Sequence, residues 1–555
     1  MATIADVKRT RTLSFFNTRR GRVLLENLQA YTFLFPAALL IFVFGLFPVA
    51  FAFFVSLHRW RRFPGEYQAL DHYVRALGDF AYVFFFWLAL GAFVYAGLQL
   101  YRQWQHDKRG LLALLPAAVN TTALLMFVDW FARLLPPILN IPQRIRGQET
   151  TQGLFISELI ASFQFPEVAS AGSMMLIAIL GAAVASGLWL WLSRQNEGAG
   201  ALFHMTAALF LAACGVLILQ LTASAIQSAV TEAQTTSGGL AGWTQVLIIS
   251  GGVGALGLAW WLWTRAGKRD SDRRFVLQLA AAAMLAAAGY VLIAEVPRVL
   301  ANADPDLLSG FGITVMFVIG TVPLQLGFGL ALAYMLFQNI KGKAFFRIAY
   351  FLPYIMPFVA TSIVFNILFS HRPTSPINQL FASFGFPIQK WLLEPTGVFS
   401  LLFGASVPEW LAGPGLALVV IIIYSVWTYI GYCTVVFLAG LGTISQELYE
   451  AARIDGASGW AVFRHITLPL LSPTTFFLSL IAVIGTFQAF TQIWIMRTPA
   501  AAGSVDTVGV YIFETVLSTD PNMGYGSALS LVLFIVILVL TLVQNRIAKE
   551  RVFYG

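Results

Sequence analysis

About twelve stretches of roughly 20 apolar residues recur along this 555-residue chain, and they constrain its fold more than any other feature. A helix rising about 1.5 Å per residue needs about 20 residues to cross a hydrocarbon core of about 30 Å. The stretches lie near 31–57, 79–101, 111–139, 171–193, 201–223, 243–264, 275–297, 311–337, 346–370, 414–440, 474–496 and 526–545. Between 386 and 412 the chain is also fairly apolar, but Pro387, Glu394, Pro395, Pro408 and Glu409 cut it into pieces too short to span, so it reads as a loop with short helices. Only 11% of residues are charged and the mean hydropathy is +0.76. A soluble domain is about one quarter charged, so a soluble enzyme is excluded and an all-α polytopic membrane protein is expected.

The formal charge of +8 belongs to the membrane rather than to nucleic acid once its placement is read. With the N-terminus inside, the cytoplasmic segments hold 23 Lys and Arg and the external ones ten, with Arg133 inside a helix. That excess predicts N-in and C-in in the cytoplasmic membrane. The cluster His58-Arg59-Trp60-Arg61-Arg62 falls outside, as a snorkelling interfacial group. Residues 13–30 mix apolar and basic side chains, which suggests an amphipathic helix on the cytoplasmic interface within a basic N-terminal segment, 1–30. The run after Arg19-Arg20 is long enough to span and reads as a first membrane helix, not a cleaved leader. Cys214 and Cys433 sit in apolar runs, and the six histidines have no ligand spacing, so no metal site is expected.

A cytoplasmic loop of about 33 residues, 441–473, is far longer than a connection between neighbouring helices requires. It reads as two short helices. Ser445 caps the first, with Glu447 in its first turn and Gly456 as a left-handed stop; Ser458 caps the second, which ends before Pro469. Ala451, Ala452 and Ala457 keep one side thin, which suits a knob entering another protein's cleft.

Glu450-Ala451-Ala452, Asp455-Gly456-Ala457, Ile466 and Leu468-Pro469 resemble the EAA signature of the permease subunits of binding-protein-dependent type I ABC importers. The resemblance extends to the maltose and glycerol-3-phosphate group through Phe47-Pro48, Leu70-Asp71-His72-Tyr73, Lys341-Gly342-Lys343, Phe345-Phe346-Arg347, Pro353, the 485–490 segment, Gly524-Tyr525-Gly526 and Tyr554-Gly555. It covers 1–75 and 309–555. The external Thr-x-Gly-Gly-Pro stretch of that group is replaced by Thr498-Pro499-Ala500-Ala501-Ala502-Gly503. The resemblance implies a coupling loop docked on a separate ATPase, with Glu450 a contact and Gly456 fixing the turn. It also implies a second homologous permease, two ATPase subunits, and an extracytoplasmic solute-binding protein.

The domain reading follows: a first core helix with its external segment at 31–75, an inserted block of about six helices at 76–308, a five-helix permease core at 309–545 containing the loop, and a tail at 546–555. Six is even, so the insertion returns the chain to the face it left. Its expected role is lateral packing.

No Gly-x4-Gly-Lys-Ser/Thr loop is present, since Gly342-Lys343 and Gly267-Lys268 both fail the spacing. The chain is thus expected to carry no cofactor and no catalytic residue, with ATP and Mg on the partner. Intramembrane charges of the kind an ion-driven carrier needs are scarce. Asp129 with Arg133, and Glu295 with Arg298, read as surface pairs near helix ends. The candidates for a solute path are Asn366, Tyr424, Trp427, Tyr432, Gln488 and Gln492, with Phe487 and Phe490 as walls and Gln488 foremost. Amides and hydroxyls with aromatic faces suit a sugar. Monosaccharide, oligosaccharide, polyol and glycerol phosphate remain open, as do the alternatives of a stand-alone carrier or a scaffold with a degenerate core.

Overall fold

The computed structural model describes residues 19–61, 63–106, 112–147, 152–193, 197–235, 241–266, 272–294, 296–338, 340–404, 406–408 and 411–551. Readings that rest on Arg62, Lys108, Lys268, Glu295, Glu409 or Tyr554-Gly555 lie outside these residues, as do residues 1–18. The described chain is a helical bundle. Ten helices are long and apolar enough to cross a membrane, and twelve spans result if two sharply bent pairs are each counted as one.

The chain begins with α1 (Arg19–Ile41), which continues through a π turn at Phe42–Leu46 into α2 (Phe47–Ser56). The described part of the expected interfacial segment is therefore the start of the first long helix, not a separate element. The π turn precedes Pro48. Phe47 N–H reaches back to Phe42 O, five residues away, so the wider turn absorbs the hydrogen bond that proline's ring would break.

After α3 (Asp71–Leu77) six long helices follow: α4 (Phe80–His106), α5 (Leu114–Leu139), α6 (Pro166–Leu192), α7 (Glu197–Thr235), α8 (Ala241–Ala266) and α9 (Asp272–Ile293). A further short helix, Gln152–Gln164, was not foreseen, and α7 runs on to Thr235, well past the apolar stretch that ends near 223. Asp129 and Arg133 form the expected i, i+4 ion pair at 2.9 Å, both exposed.

The rest comprises α10 (Pro305–Phe337), α11 (Lys343–Ile355), α12 (Phe358–Leu368), α13 (Leu416–Leu441), the loop helices α14 (Gln446–Ile454) and α15 (Gly459–Val462), α16 (Ser472–Phe487), α17 (Thr491–Met496), α18 (Val508–Leu517) and α19 (Met523–Arg551). Two expected spans are not straight. The 346–370 run bends by 96° between α11 and α12, because Pro357 forces Met356 into extended backbone (ψ 145°). The 474–496 run stops at Phe487 and resumes as α17 after a break at 488–490. The apolar 386–412 segment is, as expected, a loop with a short 3-10 turn at Trp391–Leu393 and a helix at Val398–Phe403.

The two ends of the six-helix block meet. Gly78 sits at φ +59°, and a Cβ there would lie 2.8 Å from Val299 O and 3.1 Å from Ala303 N. Asp304 N–H donates to Ala76 O at 3.3 Å. Asp304 then caps α10, accepting from Asp306 and Leu307 N–H, while its other oxygen accepts from Tyr511 at 2.6 Å and Tyr525 at 2.5 Å. Burial works against its charged form, but these four donors outweigh it and hold the carboxyl below its ordinary range. Around this knot one buried cluster joins Tyr73, Tyr82 and Phe85 to Ile226 and Ile249 of the block and to Leu307, Tyr525 and Leu529.

Gly78→Ala should therefore cost about 1–3 kcal/mol through the left-handed backbone and the crowded Cβ. Asp304→Ala should cost at least as much, since it removes a cap worth about 1 kcal/mol and strands two hydroxyls. Thermal unfolding of the detergent-purified variants checks both, and wild-type midpoints would contradict the junction's importance.

Candidate solute cavity and coupling loop

A cavity of about 290 Å³ lies among α10, α12, α13, α16, α17 and the 488–490 break. Its polar lining comes in pairs four residues apart, and such pairs share a helix face. Thr321 and Gln325 project from α10, Ser425 and Tyr429 from α13, and Gln488 and Gln492 from the break and α17. Thr486 and Thr491 add hydroxyls, and Phe317, Phe358 and Phe490 add aromatic faces. Among the described residues, no Asp, Glu, Lys, Arg or His contributes. Thr321 and Ser425 are each 1% exposed, and neither hydroxyl has a hydrogen-bond partner among the described residues. An unmet buried hydroxyl costs about 1–3 kcal/mol.

Of the residues expected to line a solute path, Gln488, Gln492 and Phe490 line this cavity. The others do not. Tyr424 is buried, pairs its hydroxyl with Thr361 Oγ1 at 2.7 Å and donates to Phe358 O at 3.2 Å, which clamps α12 to α13. Asn366 donates to Ile495 O at 3.0 Å and fixes α12 to α17. Trp427 packs on Phe365, Tyr432 stacks on Tyr354 at 5.0 Å, and Phe487 belongs to the buried cluster at the Asp304 junction. These five shape the walls from behind. Thr321, Gln325, Ser425, Tyr429 and Thr486 were missed, although polar pairs four apart within apolar helices were visible in the sequence.

The coupling loop has the expected caps. Ser445 Oγ accepts from Glu447 N–H, Ser458 Oγ accepts from Ala461 N–H, both at 3.3 Å, and Gly456 sits at φ +74°. Two expectations are corrected. The second helix does not end before Pro469: a π turn at Phe463–Thr467, closed by Leu468 N–H to Phe463 O, carries the helix through Leu470, by the device also used before Pro48. Ala452 is buried against the loop itself, with Ala457 N–H donating to its carbonyl at 2.9 Å, so it is not on the open side. Glu450, Ala451, Asp455 and Gly456 are exposed, while Ala457, Ile466 and Pro469 are half-buried. Ile454 (86% exposed) and Trp460 (69%) stand out of this polar knob.

The loop touches two of the helices that line the cavity. Phe463 meets Tyr334 of α10 with ring centroids 5.0 Å apart, and α10 carries Gln325 and Thr321. The loop also runs directly into α16, which carries Thr486 and ends next to Gln488, with a 63° bend between. Tyr449 OH and Thr467 Oγ1 lie 3.3 Å apart and tie the two arms together.

A helical bundle with a polar, charge-free cavity and a structured loop wired to it defines a membrane permease subunit. Residues 325–551 match the family described as binding-protein-dependent transport system inner membrane component. The lactose transport system permease protein LacF of Rhizobium radiobacter is 32% identical over 45% of this chain and 78% of its own length. The arabinooligosaccharides transport system permease protein AraP of Bacillus subtilis is 33% identical over 42% of the chain and 67% of its own length. An inner membrane ABC transporter permease protein, YcjO of Escherichia coli, is 28% identical over 46% of the chain and 79% of its own length. The chain belongs to this family of binding-protein-dependent permeases. It is the membrane-spanning subunit of an ABC importer, multi-pass in the inner membrane, and the family match begins only at Gln325.

The cavity depends on a close approach behind it. A Cβ on Gly431 of α13 would overlap Tyr350 O of α11. Gly431→Ala should drive α11 from α13 and cost about 1–3 kcal/mol or more, read as a lower thermal midpoint; an unchanged midpoint would show that this contact does not hold the bundle.

Proposed function

We propose that this permease conducts a neutral carbohydrate. The observation that carries the reading is the cavity: three i, i+4 polar pairs and three phenylalanines with no charged side chain. Sugar rings offer apolar CH faces to aromatics and hydroxyls to amides, whereas a glycerol phosphate would bring an unpaired charge to a site with no cation. The relatives named for lactose and arabinooligosaccharides support the same class.

In this reading Gln488 and Gln492 hold the solute with Gln325, Thr321 and Ser425, and the partly helical backbone at 488–490 is tolerated because it lines the cavity. The chain pairs with a second homologous permease. Two ATPase subunits, which hold ATP and Mg, sit on the coupling-loop face, and a solute-binding protein sits opposite. Both termini are cytoplasmic. Ile454, Trp460, Glu450 and Asp455 form the knob that the ATPase receives. Its closure biases two states of the bundle, passed along α16 and through Phe463 to α10. Residues 76–308 are an insertion into the core, attached at the Gly78–Asp304 junction.

Reconstituted with its ATPase and binding protein, Gln488→Leu should lower ATP-dependent sugar uptake about tenfold, the effect of losing one strong hydrogen bond of about 1.4 kcal/mol. Gly456→Val should abolish solute-stimulated ATP hydrolysis while leaving insertion intact, because φ +74° is closed to a β-branched residue. Full uptake in the first variant would refute the solute site, and full coupling in the second would refute the knob.

A further inference from the structure

Two buried polar groups beyond the cavity lining also lack partners, and they stand together. Ser362 and Asn366 are four residues apart on α12 and share one face with Phe358, which lines the cavity one turn earlier. Ser362 is fully buried, and its hydroxyl has no hydrogen-bond partner among the described residues. Asn366 Oδ1 is likewise buried and unpartnered, although Asn366 Nδ2 donates to Ile495 O at 3.0 Å. Ile495 lies one turn along α17 from Gln492, which also lines the cavity. Both helices therefore start at the cavity. They end together as well: Phe369, just after α12, packs edge-on against Trp391 at 5.3 Å, and Thr498, just after α17, donates to Leu392 O at 2.6 Å. Trp391 and Leu392 precede α13, whose far end leads into the coupling loop, so the seam between α12 and α17 runs from the cavity to the face opposite that loop.

The helices on either side of this seam are tied away from it. Phe490 and Trp494 pack on Phe513 of α18 with ring centroids 4.5 and 4.8 Å apart. Arg497, which follows α17, forks onto Asp506 at 2.6 and 2.8 Å and reaches Glu514 of α18 at 2.7 Å. On the other side α12 is held to α13 through Thr361 and Tyr424. Among the described residues one hydrogen bond, from Asn366 to Ile495 O, joins α12 to α17, and Phe365 and Ile493 belong to one apolar cluster beside it. Parting such a seam breaks a single polar contact. A permanently shut seam, moreover, would be more stable with alanine at 362, because a buried hydroxyl without a partner keeps its desolvation cost unrepaid.

We propose that the α12–α17 seam is the door of the cavity on the face opposite the coupling loop, and that Ser362 and Asn366 are hydrogen-bonding contacts for a carbohydrate passing through it. The second half of this inference rests on the carbohydrate reading above. With the seam parted, Ser362 Oγ and Asn366 Oδ1 stand as acceptors and Asn366 Nδ2 is released as a donor, about 6 Å apart along the helix. These groups match the hydroxyls of a neutral guest and offer no charge to an ionic one.

The test uses the complete importer complex in sealed proteoliposomes with the coupling loop outward, in a Cys214→Ala, Cys433→Ala background. A membrane-impermeant maleimide enclosed in the lumen should modify Ser362→Cys at least fivefold faster in one of two ATPase states, nucleotide-free or held closed by a non-hydrolysable ATP analogue. Ile363→Cys, on the exposed side of α12, should react equally in both. Equal rates at Ser362→Cys in the two states would overturn the door. Ser362→Ala should keep or raise the thermal midpoint, since it deletes an unmet hydroxyl, yet lower ATP-driven uptake of lactose or arabinobiose, whichever the wild type accepts, severalfold. A lowered midpoint would assign Ser362 to structure alone, and wild-type uptake would overturn the contact. Labelling needs no solute, so it decides the door by itself, whereas a wild-type complex that takes up neither sugar counts against the carbohydrate reading and with it the contact.

Discussion

Everything in this bundle follows from the absence of water at membrane depth, where each backbone N–H and C=O must find its partner within the protein. Long helices satisfy that demand by default, so the places where helical geometry lapses are the informative ones. Five stand out within the described permease elements: the π turns before Pro48 and Pro469, the 96° bend at Pro357, the 63° bend between Leu470 and Ser472, and the break at 488–490. Each π turn keeps the ladder closed around a proline. The Pro357 bend and the 488–490 break are different, because they open the ladder, and both lie on the cavity wall, where Phe358, Gln488 and Phe490 are exposed to the enclosed space.

The same constraint bears on how the six-helix block at 76–308 joins the rest of the bundle. A helix pair leaves and returns on one face, so an even number of spans costs the core nothing in orientation if the ends can be brought together. Gly78, in a backbone region that other residues rarely adopt, lets the outgoing chain lie against Val299 and Ala303 of the returning one. Asp304 then converts that meeting point into part of the core by capping α10 and accepting from tyrosines of α18 and α19. One carboxylate thus links the block, the helix that carries Thr321 and Gln325, and the C-terminal pair of helices.

Much of this was legible in the sequence because it is local. The caps at Ser445 and Ser458, the left-handed Gly456, the ion pair of Asp129 with Arg133 and the number of spans all rest on residues within a few positions of each other. The bend at Pro357 was equally local and was passed over because the apolar run around it is long enough to span. What sequence could not reveal is which side of a helix faces which neighbour. Tyr424 and Ser425 are adjacent, yet one clamps α12 from behind and the other opens onto the cavity. Asn366 and Gln492 looked equivalent as amides; one donates its Nδ2 to Ile495 O behind the cavity lining and the other lines the cavity. The break at 488–490 has no proline to announce it.

The loop at 441–473 is joined to the bundle at more than one place. Had the coupling knob met the bundle through a single flexible contact, its movement would dissipate in the loop. Instead it is held twice, by the Phe463–Tyr334 ring contact on α10 and by covalent continuity into α16, and its two arms are cross-linked through Tyr449 and Thr467. The helices so contacted carry Gln325 with Thr321, and Thr486 with the adjoining Gln488, whereas Ser425 and Tyr429 stand on α13, which is held to α12 through Tyr424 and approaches α11 closely at Gly431. The polar pairs that line the cavity therefore stand on elements held in different ways, some tied to the loop and one packed against its neighbours.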